Sequence, residues 1–139
     1  MEDSELRQAL AVLDTYNAQL EALTRQVRML QLSVEETTKA REAFKALADA
    51  KEGDEILVPV GASSYIPVKV SGKKSAIIGV GSRVAVEKDL DEAVEFMSAN
   101  GIEISEALKK TVNALSDLEN RAAELTAAIQ QEYSDRQIQ

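Results

Sequence analysis

Residues 55–87 read EILVPVGASSYIPVKVSGKKSAIIGVGSRVAVE. β-Branched residues dominate, and they fall into four short runs: Glu55 to Val60, Tyr65 to Val70, Ala76 to Val80 and Arg83 to Glu87. Gly61 to Ser64, Ser71 to Lys74 and Gly81-Ser82 separate the runs as turns, so the pattern predicts two successive β-hairpins. Five of the chain's six Gly and both of its Pro lie between Gly53 and Gly81. Pro59 and Pro67 have no amide to give a ladder, which assigns them to an edge, a bulge or an unpaired stretch.

Outward from this segment the composition changes on both sides. From Asp3 to Lys51 there is neither Gly nor Pro, and a stripe steps by three and four through Leu6, Ala9, Leu13, Tyr16, Leu20, Leu23, Val27, Leu30, Val34, Thr37, Arg41, Phe44 and Ala48. A second stripe runs Leu90, Val94, Met97, Gly101, Ile104, Leu108, Thr111, Leu115, Leu118, Ala122, Leu125, Ile129 and Glu132. The mean step of about 3.5 residues is that of a left-handed coiled coil. Acidic Glu2, Asp3 and Glu5 suit the positive end of a helix dipole, Lys51 with Gly53 reads as a stop, and Asp89 with Glu92 reads as a capping box. Two helices of roughly 45 residues, about 70 Å each at 1.5 Å per residue, are expected to pair as antiparallel arms. The expected division is 4–51 for the first arm, 52–88 for the strands and 89–135 for the second arm of a single unit, 1–139.

Helices that project away as a coiled coil leave the strands uncovered. Ile56, Leu57, Val58, Ile66, Val68, Ile77, Ile78, Val84 and Val86 put apolar side chains on both faces of a sheet too small to be stable alone. Open edges and apolar faces drive association, so the strand segment reads as an oligomerisation device. Helices folded back over the sheet as a compact α+β domain are the competing arrangement.

The 139 residues carry 16 Lys plus Arg against 24 Asp plus Glu, a net charge of -8, which opposes binding to nucleic acid and to anionic membranes. The imbalance is concentrated at one end: 4 basic and 11 acidic residues lie from Asp89 onward. That face reads as a solvated helix surface, or as an acidic rim for a basic partner. With no Cys and no His, thiolate chemistry, disulfides and the commonest metal ligands are excluded. No cofactor and no metal is expected. The adjacent Glu35-Glu36 point about 100° apart on a helix. Gly79-Val80-Gly81 lacks the third Gly of a dinucleotide fingerprint and there is no Walker A motif, so an enzyme is not expected. No apolar run approaches the roughly 20 residues of a membrane span, and Met1-Glu2-Asp3 is unlike a signal peptide, which leads to an expectation of a soluble, cytoplasmic protein.

Two long terminal coiled-coil arms flanking two small hairpins, with GVGSRVAVEKDLDEA at residues 79–93 leading into the second arm, resemble the prefoldin family. Four strands instead of two point to its alpha type. The resemblance implies an α+β fold whose hairpins assemble into an oligomeric β-barrel body. It also implies a hexamer of two alpha-type and four beta-type subunits. Such a chaperone works without ATP, holds non-native polypeptides at the ends of its arms and delivers them to a group II chaperonin. An oligomeric scaffold that holds no clients is the alternative. A transcription factor with an acidic coiled-coil tip fits less well, because its helices meet in a turn and not in a β-rich segment.

On this reading the arm ends are the two chain termini. The client-binding candidates are Leu6, Leu10, Leu13 and Tyr16 on the first arm, with Leu125, Ile129, Tyr133 and Ile138 on the second. Leu10, Tyr133 and Ile138 fall off the stripes and are the foremost candidates for exposed grip, while the others can equally close the coiled coil. The oligomerisation candidates are Ile56, Val58, Ile66, Val68, Ile77, Ile78, Val84 and Val86. Level arm ends at Lys51 and Leu90 make partner numbers sum to about 141. Arg41 is then expected to pack across Gly101, with Phe44 near Met97, and a kink at Asn100-Gly101 is the other explanation for that glycine.

Overall fold

The computed structural model describes residues 1–138, and Gln139, the last position of the expected unit, lies outside them. The order of elements is α1 (Asp3–Asp49), β1 (Glu55–Gly61), β2 (Ser64–Lys69), β3 (Ser75–Gly81), β4 (Val84–Asp89) and α2 (Leu90–Ile138). Two long helices and two small antiparallel hairpins therefore make up the expected α+β fold. The residues fall into two compact units, one formed by Met1–Ser33 with Ile104 onward, the other by Val34–Glu103.

Every residue of both predicted stripes is buried or half-buried, polar members included. Outside the stripes α1 is exposed except at Ser33, Ala40 and Leu47. The polar members have local solutions. Thr111, buried on α2, donates its hydroxyl to the Ala107 carbonyl at 2.9 Å, which satisfies it within its own helix. Half-buried Arg41 donates from Nε to Ser98 Oγ at 2.7 Å. That contact overturns the expected pairing of Arg41 with Gly101. A methyl group at Gly101 would lie 3.7 Å from Thr37 Cγ2, so the helices run two to three residues out of the assumed register and it is Thr37 that faces the glycine. α2 is continuous through Asn100-Gly101.

The two hairpins are one design used twice. β1 and β2 pair Glu55 with Lys69, Pro59 with Tyr65 and Gly61 with Ser64, and β3 and β4 pair Ser75 with Asp89, Gly79 with Ala85 and Gly81 with Val84. Twenty residues separate each pair from its counterpart, and in each hairpin the register shifts before the glycine, at Val60 and at Val80. Gly61 and Gly81 have φ of 96° and 104°, and the residues after them, Ala62-Ser63 and Ser82-Arg83, all have φ between 50° and 61°. Two central residues at positive φ make a type I′ turn, whose twist matches paired strands. Arg83, expected to open the fourth strand, is instead the second turn residue, and β4 begins at Val84. Pro59 sits beside the register shift, as its missing amide requires.

The joints between helix and strand are tied by specific bonds. α1 stops at Asp49, with no basic residue in its last turn. Lys74, from the link between the hairpins, supplies the charge: its ammonium donates to the Leu47 carbonyl at 2.8 Å and also to the Ala50 carbonyl. A cation on the last carbonyls satisfies acceptors the helix leaves open and opposes its negative end. At the other joint Asp89 Oδ1 accepts from the Glu92 amide at 2.8 Å, the expected cap, so β4 passes into α2 without a loop. The Leu90 amide donates to the Lys74 carbonyl at 3.0 Å, which makes Lys74 a tie for both helices.

Candidate functional site: the arm end and the strand surfaces

In the first unit the start of α1 lies against the last turns of α2. Leu6 (7 % exposed) and Ile129 (5 %) are the buried apolar residues nearest the termini among the described residues. Leu13, Tyr16 and Leu125 are half-buried. Of the remaining candidates, Leu10 and Tyr133 are exposed, and Ile138 is 83 % exposed. Sequence reasoning missed two further exposed apolar side chains here, Met1 and Val12. Val12 stands off the stripe, a position that the periodicity marks as outward.

Charge crosses the same end. Arg136 donates from Nη1 to Asp3 Oδ1 at 2.7 Å, from Nη2 to the Met1 carbonyl at 3.1 Å and from Nε to Glu132 Oε1 at 3.0 Å. The Arg136 bond, opposed by partial desolvation, holds the Glu132 carboxyl below the ordinary glutamate range, and Asp3 followed by Glu132 raises the guanidinium pKa. Glu132 is the one charged member of the second stripe, which the sequence alone left without an explanation. The spacing of Glu132 and Arg136 by four is the sequence signal that accounts for it.

In the second unit the strands leave most of their apolar side chains in the open. Ile66, Val68, Val58 and Val84 are exposed, Ile77 is 77 % exposed, and Ile56 and Val86 are half-buried. Ile78, also an oligomerisation candidate, is only 2 % exposed and is already packed within its own chain. Leu57, Val60, Tyr65 and Val80 are exposed as well, and only Leu57 of these figured among the outward-facing strand residues expected from the sequence. Both hairpins are two-stranded, so each strand has one unpaired edge. Among the described residues there is no group of three or more acidic side chains placed to hold a metal, and no helix is long and apolar enough to cross a membrane.

The family model described as prefoldin subunit matches residues 16–135. The chain belongs to the prefoldin family. Its similarity to named prefoldin alpha subunits extends over most of its length. It is 36% identical over 108 residues to prefoldin subunit alpha of Methanothrix thermoacetophila, covering 78% of this chain and 71% of the relative. It is 35% identical over 130 residues to that of Pyrococcus horikoshii, covering 93% and 88%. Among solved structures, a filamentous prefoldin from Methanocaldococcus jannaschii matches with a TM-score of 0.53 at 26% identity, covering 93% of this chain and 98% of that one. The prefoldin beta subunit from Thermococcus strain KS-1 shares the fold, with a TM-score of 0.58 at 20% identity and coverage of 92% and 91%. As an alpha-type prefoldin, this chain is a molecular chaperone subunit.

Proposed function

We propose that this prefoldin subunit holds non-native polypeptides with the exposed apolar side chains at its arm end, Leu10, Val12, Tyr133 and Ile138. The observation that carries the reading is a division at this end. Leu6 and Ile129 are buried and close the helix pair, whereas Leu10, Tyr133 and Ile138, which the packing does not use, stand in solvent. Scattered, adaptable apolar contacts suit clients of no fixed sequence better than a shaped pocket. The exposed strand residues and open edges fit assembly with beta-type subunits, in a hexamer of two alpha and four beta whose hairpins close into barrels. Delivery to a group II chaperonin in the cytoplasm, without ATP, completes the proposal by family resemblance. A scaffold holding no clients is disfavoured by the named relatives and gives no reason for apolar residues at the arm end.

The test is light scattering from a denatured protein diluted into the assembled complex. The intact complex is expected to suppress the scattering. A complex carrying Leu10→Ser, Tyr133→Ser and Ile138→Ser, with the same assembly state, is expected to lose most of that effect. Equal suppression by both complexes would remove the client site from the arm end.

A further inference from the structure

The geometry points to Arg136 as a salt-sensitive strap that sets how much apolar surface the arm end offers; this rests on the proposed holding function. One guanidinium joins three partners: Glu132 on its own helix, one turn back, and Asp3 and the Met1 carbonyl at the start of the opposite helix. Leu6 follows Asp3 by one turn on α1, and Ile129 precedes Glu132 by one turn on α2. The strap therefore closes directly over the two apolar side chains that are buried at this end. Terminal turns have low local stability, and besides the strap one further ion pair crosses this end, the Met1 ammonium on Glu132 Oε2 at 3.3 Å.

The strap is also weak, as an adjustable element requires. The Arg136 and Asp3 side chains are 36% and 75% exposed. An ion pair this open shifts an equilibrium by roughly fivefold at most and is screened by salt. Release adds Leu6 and Ile129 to the five apolar side chains already in solvent at this end, so the held area grows without any change elsewhere in the chain. Arg136 is thus a positioning residue, acting on clients through the residues it covers.

Hydrogen exchange on the assembled complex tests this, comparing the wild-type chain with Arg136→Gln and with the charge-retaining Arg136→Lys, at low and at high salt. The Gln variant is expected to exchange several-fold faster within residues 3–12 and 126–136 and unchanged in the strands, with the Lys variant in between. High salt is expected to speed the wild type more than the Gln variant, which keeps only the Met1 ammonium–Glu132 pair across this end. Holding of a denatured client per complex should rise in the same order as exchange. Equal exchange in wild type and Gln variant at low salt would overturn the strap. Faster exchange with unchanged holding would overturn its control of clients. No holding by any of the complexes would instead defeat the function on which the proposal rests.

Discussion

The Lys74 ammonium lies 2.8 Å from the carbonyl oxygen of Leu47, twenty-seven residues earlier, and closes the C-terminal end of α1. A helix that ends without a basic residue in its own last turn borrows one from the link between the hairpins. Replacing Lys74 with Met keeps the stem and removes the donor. The variant is expected to lose about 1–2 kcal/mol, the low end for a charged hydrogen bond, because the site is open to water. Thermal unfolding at fixed protein concentration checks this, and an unchanged midpoint would contradict it.

The glycines separate into two kinds. Gly61 and Gly81 sit at φ of 96° and 104°, so alanine at either is expected to destabilise its hairpin by about 1–2 kcal/mol. Gly101 is helical, and a methyl group there would make an ordinary contact with Thr37. Gly101→Ala is therefore expected to raise the unfolding midpoint, by about 1 kcal/mol of stability. A fall in the midpoint would mean that the helices pack more tightly at that point than the 3.7 Å separation allows.

The glycine that faces Thr37 and not Arg41 shows where the sequence was legible. The stripe from Leu6 to Ala48 and its partner from Leu90 to Glu132 were readable because burial follows the step of three and four even where the residue is polar. The register between the stripes was not, since level helix ends had to be assumed. Arg41 meeting Ser98 depends on the length of the joints, which no periodicity encodes. Val60-Gly61 recurs at Val80-Gly81, and the two-residue turn that follows each explains why Arg83 is in a turn. Lys74 and Arg136 act across large sequence separations, through single long side chains that leave no periodic signal.

Ile77, exposed on β3, tests the assembly surface. Ile77→Ser is expected to leave the helical circular dichroism of the subunit intact and to reduce complex formation with a beta-type partner, read by size-exclusion chromatography with light scattering. Ile78→Ser, at a side chain already buried in its own chain, is expected to lower the stability of the isolated subunit as well. Undiminished assembly of the Ile77 variant would contradict the role given to that face.

Glu87 gives the second hairpin a pH dependence. Its carboxylate accepts from Lys73 at 2.8 Å and from Ser75 at 2.9 Å, and the Lys73 bond, followed by that of Ser75, lowers its pKa. A carboxyl depressed in the folded state contributes stability that is fully present above its unfolded pKa and is lost as pH falls through the folded one. Unfolding midpoints should therefore fall with acidification below the ordinary glutamate range, by a small amount because the pair is exposed. Glu87→Gln should flatten that part of the profile. An identical profile in the variant would remove Glu87 as its source.

The most direct measurement places a photo-activated crosslinking residue at one site at a time in the assembled complex and adds a labelled, denatured client. The sites are position 133 or 138 at the arm end, position 29, where Met29 is 71 % exposed on α1, and position 57 on β1. Tyr133 and Ile138 are 47 % and 83 % exposed, which brackets Met29, so location is what separates the arm end from position 29, while position 57 reports on the face given to assembly. Client crosslinks at positions 133 and 138, with little at 29 and 57, are the predicted result. Crosslinks at 29 or 57 with none at 133 and 138 would contradict the claim that the arm end holds the client.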